Sequence, residues 1–173
     1  MGPFLPAPSL LAQSHGGKYN INKIKAAYVY NFFEFVTWPD VGKSTSGDSV
    51  VIGILGQTTM SGAFSPVEGT RLLGKKLVVR SSDRLEDLMD SRILFVSSSE
   101  AARMGRVLKA LGNQPILTVS DMDDFAQSGG MIQLYAVEIQ GEVKVRFDIN
   151  KDSVDDAGLR ISFRLLSLAR PKP

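Results

Sequence analysis

The sequence predicts an α/β domain, a three-layer sandwich in which a mixed, mostly parallel sheet of about six strands lies between two layers of helices. Four apolar runs are typical of strands that are covered on both faces. The segments between the runs are long enough for helices, which is the pattern of parallel strands joined by crossover connections. Two alternating segments follow, joined by a short connection containing glycine, and they predict an antiparallel hairpin at one edge of the sheet.

The first predicted element is a helix from Asn20 to Trp38. Its apolar residues recur at intervals of three and four, and others fall outside that stripe, so the helix should be buried on more than one side. Pro39 disfavours helical geometry at Trp38 and should end the helix there. The polar stretch from Gly42 to Asp48 predicts a loop. The apolar stripe consists of Ile21, Ile24, Tyr28, Phe32, Phe35 and Val36.

The four inner strands come next, and a helix separates the last two. Ser97 and Glu100 have the spacing of a capping box, which predicts a helix from Ser97 to Leu111. Gly112 is suited to ending that helix. The strands themselves are predicted from Val50 to Gly56, from Lys76 to Val79, from Ile93 to Val96 and from Ile116 to Val119.

The C-terminal third contains the hairpin and one ambiguous segment. The hairpin strands are predicted from Met131 to Ile139 and from Val143 to Ile149. From Val154 to Ala169, four apolar residues alternate as in a strand, whereas Arg160, Arg164 and Ser167 are spaced like the polar stripe of a helix. The residues leave both structures open, and we favour the helix.

The length of 173 residues fits one domain, which we place at residues 19–170. Residues 1–18 are first apolar and proline-rich and then glycine-rich, so they are either the remnant of a signal peptide or a disordered leader. The basic residues that usually begin a signal peptide are missing, because Lys18 is the first cation of the chain. No stretch approaches the roughly 20 apolar residues that span a bilayer.

The composition argues against catalysis. The chain has no cysteine, and its one histidine, His15, lies in the leader, so neither a Ser-His-Asp triad nor a zinc site of His and Cys can form. The glycine motifs of nucleotide-binding loops do not occur. We therefore expect no enzyme activity, no catalytic residue, no metal and no cofactor. The net charge of +2 is spread along the chain, which disfavours nucleic acid as a partner.

Three aspartates, Asp121, Asp123 and Asp124, follow the fourth inner strand. Their carboxylates could hold a hard cation such as Mg²⁺. We favour a structural role instead, in which one aspartate caps a short helix from Asp123 to Ser128 and the others are solvated.

A small-ligand site is the second functional hypothesis. Ligands of open α/β sheets bind in the crevice beyond the carboxyl ends of the strands, where hydroxyl groups and helix N-termini can hold an anion. The same groups can instead cap helices. A nucleotide or amino-acid sensor of this kind would act on a membrane sensor kinase. The residues expected at this rim are Gly56, Gln57, Ser97, Ser98, Ser120 and Asp121.

An ordered set of segments resembles the YfiR family over nearly all of the chain from Lys23 to Ala169. Each segment alone is weakly specific, and their order along the chain makes the set specific. The matching segments are residues 25–32, 35–39, 54–56, 92–96, 117–121, Phe125 with 129–132, 146–150, 157–159 and 165–169.

The resemblance implies a periplasmic repressor that forms a homodimer and inhibits an inner-membrane diguanylate cyclase, YfiN, so that cyclic di-GMP and biofilm formation stay low. It also implies an outer-membrane lipoprotein, YfiB, that sequesters the repressor, and a helical C-terminal segment. On such a helix Arg160 and Arg164 would form a basic stripe, either a solvated face or a partner-docking surface.

The chain departs from the family pattern at two positions. Better-known members carry cysteines just before the segments that correspond to residues 54–56 and 93–95, and here these positions are Gly53 and Ser91. Losing both together is consistent with losing a disulfide as a unit. Redox control is therefore doubtful for this chain, and its core must supply the stability alone.

Overall fold

The computed structural model describes residues 18–39 and 47–170. Helix α1 (Lys18–Phe35) comes first and runs into the short strand β1 (Val36–Thr37). The other strands are β2 (Ser49–Leu55), β3 (Arg71–Leu72), β4 (Lys75–Ser82), β5 (Ile93–Val96), β6 (Leu117–Ser120), β7 (Ile132–Ile139), β8 (Glu142–Ile149) and β9 (Arg160–Ile161). The other α-helices are α2 (Met104–Leu111), α3 (Lys151–Asp156) and α4 (Phe163–Leu168).

The main sheet has seven strands in the order β3-β4-β2-β5-β6-β7-β8. The inner strands from β4 to β7 are parallel, and β8 pairs with β7 as the predicted antiparallel hairpin. Gln140 and Gly141 make its turn with φ angles of 53° and 78°. A second antiparallel pair, β3 with β4, closes the other edge and was not predicted. The mixed, mostly parallel sheet is thus confirmed.

Helices cover both faces of this sheet, so the predicted three-layer architecture is confirmed. Side chains alternate along β5: Ile93 and Phe95 join the core beneath α1, and Leu94 and Val96 join a second core beneath α2. Burial of apolar area on both faces explains why β5 and β6 consist of buried residues throughout.

Aromatic side chains fix α1 against the hairpin edge of the sheet. Phe147 of β8 lies with its ring centroid 5.8 Å from that of Tyr28 and 5.7 Å from that of Phe32. Both distances are in the range of favourable aromatic pairs. The helix that begins the described chain is therefore packed on the strand that ends the sheet.

Three predicted helices differ from the observed structure. The first helix ends at Phe35 rather than Trp38, because Val36 and Thr37 pair with β9. The helix predicted from Ser97 is divided into a 3₁₀ segment, Ser98–Arg103, and α2. The helix predicted from Asp123 to Ser128 is wrong, since these residues form consecutive turns and Asp124 has a φ of 59°.

The ambiguous C-terminal segment contains both a strand and a helix, the two structures that its sequence left open. Arg160 lies in β9, opposite Thr37, so its predicted place on a helical stripe is wrong. Arg164 lies in α4, where a helix was predicted. Gly158 has a φ of 74° and separates α3 from β9, and the Ser162 side chain accepts a hydrogen bond from the backbone N–H of Leu165 at the start of α4. A turn and a cap therefore divide one pattern into three short elements.

The proposed division at residue 18 stays a prediction. Residues 1–17, including His15, lie outside the described part of the chain, and so does most of the loop predicted between Gly42 and Asp48.

Candidate functional site

The carboxyl ends of β2, β5 and β6 bring Gly56, Gln57, Ser97 and Ser120 to one rim of the sheet, as expected for parallel strands. Gly56 has a φ of 89°, a value that residues with a side chain rarely adopt. A Cβ atom at this position would lie 2.5 Å from the Ser99 Oγ. The glycine is therefore needed for a tight turn with a close neighbour.

Hydrogen bonds within the rim use the polar groups of Gln57 and Ser97. The Ser97 Oγ donates to the backbone carbonyl of Gln57 and accepts from the N–H of Ser99 at 3.2 Å. The Gln57 N–H donates to the Ser99 Oγ at 2.9 Å, and its side-chain amide donates to the Asp83 carboxylate at 2.8 Å. These bonds link the turn after β2 to the helical segment after β5.

The polar side chains at the end of β6 are also engaged. The buried Ser120 Oγ donates to the Val96 carbonyl at 2.6 Å and accepts from the Met122 N–H at 3.1 Å. Asp121 forms a largely buried ion pair with Lys25 of α1 at 2.8 Å. Ser98, in contrast, is exposed. The contacts of the other rim residues therefore favour a structural role, in which these residues cap and connect elements, over a preformed ligand site.

The residues Glu100 and Arg103 also belong to this rim and were not predicted as part of it. The Glu100 side chain is buried and binds the Arg103 guanidinium, which also donates to the Asp83 backbone carbonyl at 2.8 Å. The hydrogen bond to the carboxylate raises the pKa of Arg103 above its ordinary value. The sequence signal was present, since Glu and Arg three apart in a helix are neighbours.

No group of three or more His, Cys, Asp or Glu side chains in residues 18–39 and 47–170 is placed to hold a metal ion. Asp121 is paired with Lys25, and Asp123 and Asp124 lie in exposed turns.

A second candidate site is the exposed surface around the last helix. Phe163 is 84% exposed and Leu168 is 51% exposed, whereas Leu165 is fully buried and anchors the helix. Arg160 and Arg164 are also exposed and lie on either side of Phe163 in the sequence. We call Arg160, Phe163, Arg164 and Leu168 the α4 patch. Large apolar side chains exposed beside arginines are typical of protein–protein interfaces.

The fold and the internally bonded rim define an α/β domain whose exposed α4 patch contains large apolar side chains beside arginines. The sequence profile of the YfiR/HmsC-like family matches residues 22–170. The chain belongs to this family. At family level, membership supports a regulatory role in signalling rather than a catalytic one, and a periplasmic location.

No curated protein sequence matches the chain. Among the described residues, no helix combines the length and the apolar character that a bilayer-spanning segment requires.

Proposed function

We propose that this protein is a periplasmic repressor that binds an inner-membrane diguanylate cyclase, resembling YfiN, and holds it inactive. Cyclic di-GMP and biofilm formation would then stay low until a competing partner, such as an outer-membrane lipoprotein resembling YfiB, sequesters the repressor. Membership of the YfiR/HmsC-like family supports this function. Phe163 is exposed and lies between two arginines in the sequence, and this observation links the proposal to particular residues.

Repression of this kind works by a shift in populations. A repressor that binds the inactive state of the cyclase more tightly than the active state moves the equilibrium toward the inactive state. Removal of the repressor by a competitor reverses the shift without any chemical step. The proposal therefore requires differential binding and no catalytic group.

The chemistry of the α4 patch indicates what the partner surface should offer. Aromatic residues and arginines at the centre of an interface contribute most of its binding free energy. Phe163 requires an apolar pocket, and Arg160 and Arg164 favour carboxylates around it. We therefore expect the patch to dock on an apolar, acid-rimmed surface of the cyclase sensor region.

Substitutions in the α4 patch test the proposal. Phe163→Ala should weaken binding to the periplasmic part of the cyclase about 10- to 100-fold, because the side chain would lose an apolar pocket. Arg164→Glu should also weaken it, by reversing the charge at the interface. Binding is measured by surface plasmon resonance, and cyclic di-GMP is measured in cells that express the two proteins together.

Leu73→Ala is the matched control, since Leu73 is 66% exposed on the β3–β4 hairpin and lies outside the patch. It should bind the cyclase as the unaltered protein does. If Phe163→Ala and Arg164→Glu bind equally well and still lower cyclic di-GMP, the assignment of the patch is wrong. If the unaltered protein neither binds nor inhibits any membrane cyclase encoded beside it, the proposed function is wrong.

A homodimer is also part of the proposal, and it is supported by the family alone. Sedimentation equilibrium of the purified domain should give twice the monomer mass. A monomer at all concentrations would remove this part of the proposal and leave the repressor role in place.

A further inference from the structure

A cavity of about 270 Å³ lies at the edge of the sheet opposite the rim, where β6 begins. It is open to solvent on one side and is bordered by the end of α2, the start of β6, the approach to β7 and helix α3. Its apolar lining comes from Leu108, Leu111, Ile116 and Met131. No predicted site included this cavity.

The cavity is also lined by polar residues, of which Asn113 and Asp156 are exposed to solvent. Asp156 and Ser153 of α3 line one side, and Asn113 lies beyond the end of α2. No Lys or Arg among the described residues lies within ion-pair distance of Asp156, whereas the neighbouring Asp155 is paired with Lys151 at 2.6 Å. The cavity thus differs from the rim, where Ser97 and Ser120 donate to backbone carbonyls and Asp121 pairs with Lys25 of α1.

The electrostatics of the cavity favour a cation. Asp156 supplies a formal negative charge, and α2 ends at Leu111 with the partial negative charge of a helix C-terminus. Lys109 is in the last turn of α2 but is exposed and does not line the cavity. The lining therefore holds one carboxylate, uncharged polar groups and apolar side chains.

We propose that this cavity binds a small organic amine, with its ammonium group on Asp156 and its apolar body against Leu108, Leu111, Ile116 and Met131. The volume lies just below the range of sites for drug-sized ligands, which fits a molecule of about ten non-hydrogen atoms. A free amino acid fits less well, because its carboxylate would lie beside Asp156 with no cation among the lining residues to receive it.

Three probes of similar size test separately how charge and apolar contact contribute to binding. Isothermal titration calorimetry with 2-phenylethylamine should give a dissociation constant on the order of 0.1–1 mM, as expected for so small a ligand. Titrations with 3-phenylpropionate, which places a carboxylate where the amine was, and with phenylalanine should show binding at least about 10-fold weaker. Equal binding of the amine and the acid would overturn the proposal, and so would the absence of amine binding at millimolar concentration.

Two isosteric variants locate the binding. Asp156→Asn should weaken 2-phenylethylamine binding at least about 10-fold, because it removes the charge while retaining the shape. Asp152→Asn is the matched control, since Asp152 is an exposed acid of the same helix that does not line the cavity, and it should leave binding unchanged. Leu108→Phe, which reduces the cavity, should weaken all three probes.

Circular dichroism and thermal unfolding show that each variant is folded before it is titrated. Unchanged amine affinity in folded Asp156→Asn, or an equal loss in Asp152→Asn, would contradict the assignment to this cavity.

Discussion

The hydroxyl group of Ser91 is buried and finds no hydrogen-bond partner among the described residues. It lies so close to Gly53 that a Cβ atom there would be 2.4 Å from the Ser91 Oγ. Leaving a hydroxyl unpaired in the interior costs about 1–3 kcal/mol. The two positions are therefore coupled by direct contact, and Gly53 stays small while Ser91 is present.

Ser91→Ala should raise the free energy of unfolding by about 1 kcal/mol, since it removes an unsatisfied hydroxyl and leaves the packing in place. Urea denaturation of the purified domain measures the change. Ser98→Ala is the control, because Ser98 is exposed and should change stability by less than about 0.5 kcal/mol. A destabilised Ser91→Ala would mean that the hydroxyl has a partner in solution.

Gly130→Ala should destabilise the fold by about 2–3 kcal/mol or prevent folding. A Cβ atom at Gly130 would lie 2.2 Å from the ring of the buried Phe125, which cannot move without disturbing the core beneath α2. Thermal unfolding measures the effect.

Gly105→Ala provides the contrast, since Gly105 lies within α2 and no atom is within 4 Å of an added Cβ. Alanine should stabilise the helix there by up to about 1 kcal/mol. If both variants changed stability alike, close packing at Gly130 would not be the cause.

At the scale of elements, β2, β5 and β6 could be predicted closely because each lies in a nearly continuous apolar run. Strand β4 runs from Lys75 to Ser82 and is longer than the predicted Lys76–Val79, because its ends are polar. Strand β5 has the predicted bounds, Ile93–Val96. The pairs β1–β9 and β3–β4 could not be predicted, since β1, β3 and β9 are each only two residues long. Strands this short are defined by the segment with which they pair and not by a sequence pattern of their own. The same reason explains why Arg160 was assigned to a helix. The local sequence pattern does not indicate a strand partner that lies more than a hundred residues away in the sequence.

The rim residues could be predicted from the ends of the parallel strands, but their hydrogen bonds could not. Whether Ser97 binds a ligand or caps its own helix depends on where Gln57 and Ser99 lie in space. The cavity was missed for a related reason: Asn113, Met131 and Asp156 come from three separate segments, and none has a distinctive motif.

The contact between α1 and β8 gives a prediction about alkaline pH. Burial raises the pKa of Tyr28 above its ordinary value of 10.0, and the charge of Arg146 opposes this rise. In the unfolded chain the phenol therefore ionises at lower pH than in the folded protein. The stability associated with neutral Tyr28 is complete below pH 10 and is lost as the pH rises through the folded-state pKa.

Tyr28→Phe should consequently lose less stability than the unaltered protein as the pH rises above about 10. Denaturant unfolding at stepped pH measures the difference. Tyr30→Phe, which removes a hydroxyl from the same helix, is the control for nonspecific effects of the substitution. Parallel pH profiles for Tyr28→Phe and the unaltered protein would show that the phenol ionises alike in both states.

At the scale of the whole molecule, the core holds without covalent cross-links, since the chain contains no cysteine. The contact of Gly53 with Ser91 joins β2 to the segment before β5, so a cross-link there would close a long loop. Gly53→Cys with Ser91→Cys should form a disulfide on oxidation and raise the free energy of unfolding by about 2–4 kcal/mol over the reduced form.

Intact mass under non-reducing conditions shows whether the bond forms, and paired denaturation curves of the oxidised and reduced protein give its effect. Each single cysteine variant is a control and should show no dependence on oxidant. A double variant that oxidises but becomes less stable would mean that the two strands cannot approach to disulfide geometry without strain.

Backbone hydrogen bonds tie the last described residues to elements that come earlier in the chain. The Ser162 N–H donates to the Phe35 carbonyl at 2.8 Å, and the Arg170 N–H donates to the Phe147 carbonyl at 3.0 Å, so this segment bonds to the end of α1 and to β8. Helix α1 precedes Ser162 and Arg170 by more than a hundred residues in the sequence. During synthesis only the part of α1 that packs on Phe147 of β8 waits for the final hairpin, and non-local contacts of this kind slow folding. The docking of α1 on the hairpin is therefore completed only after β8 has been synthesised.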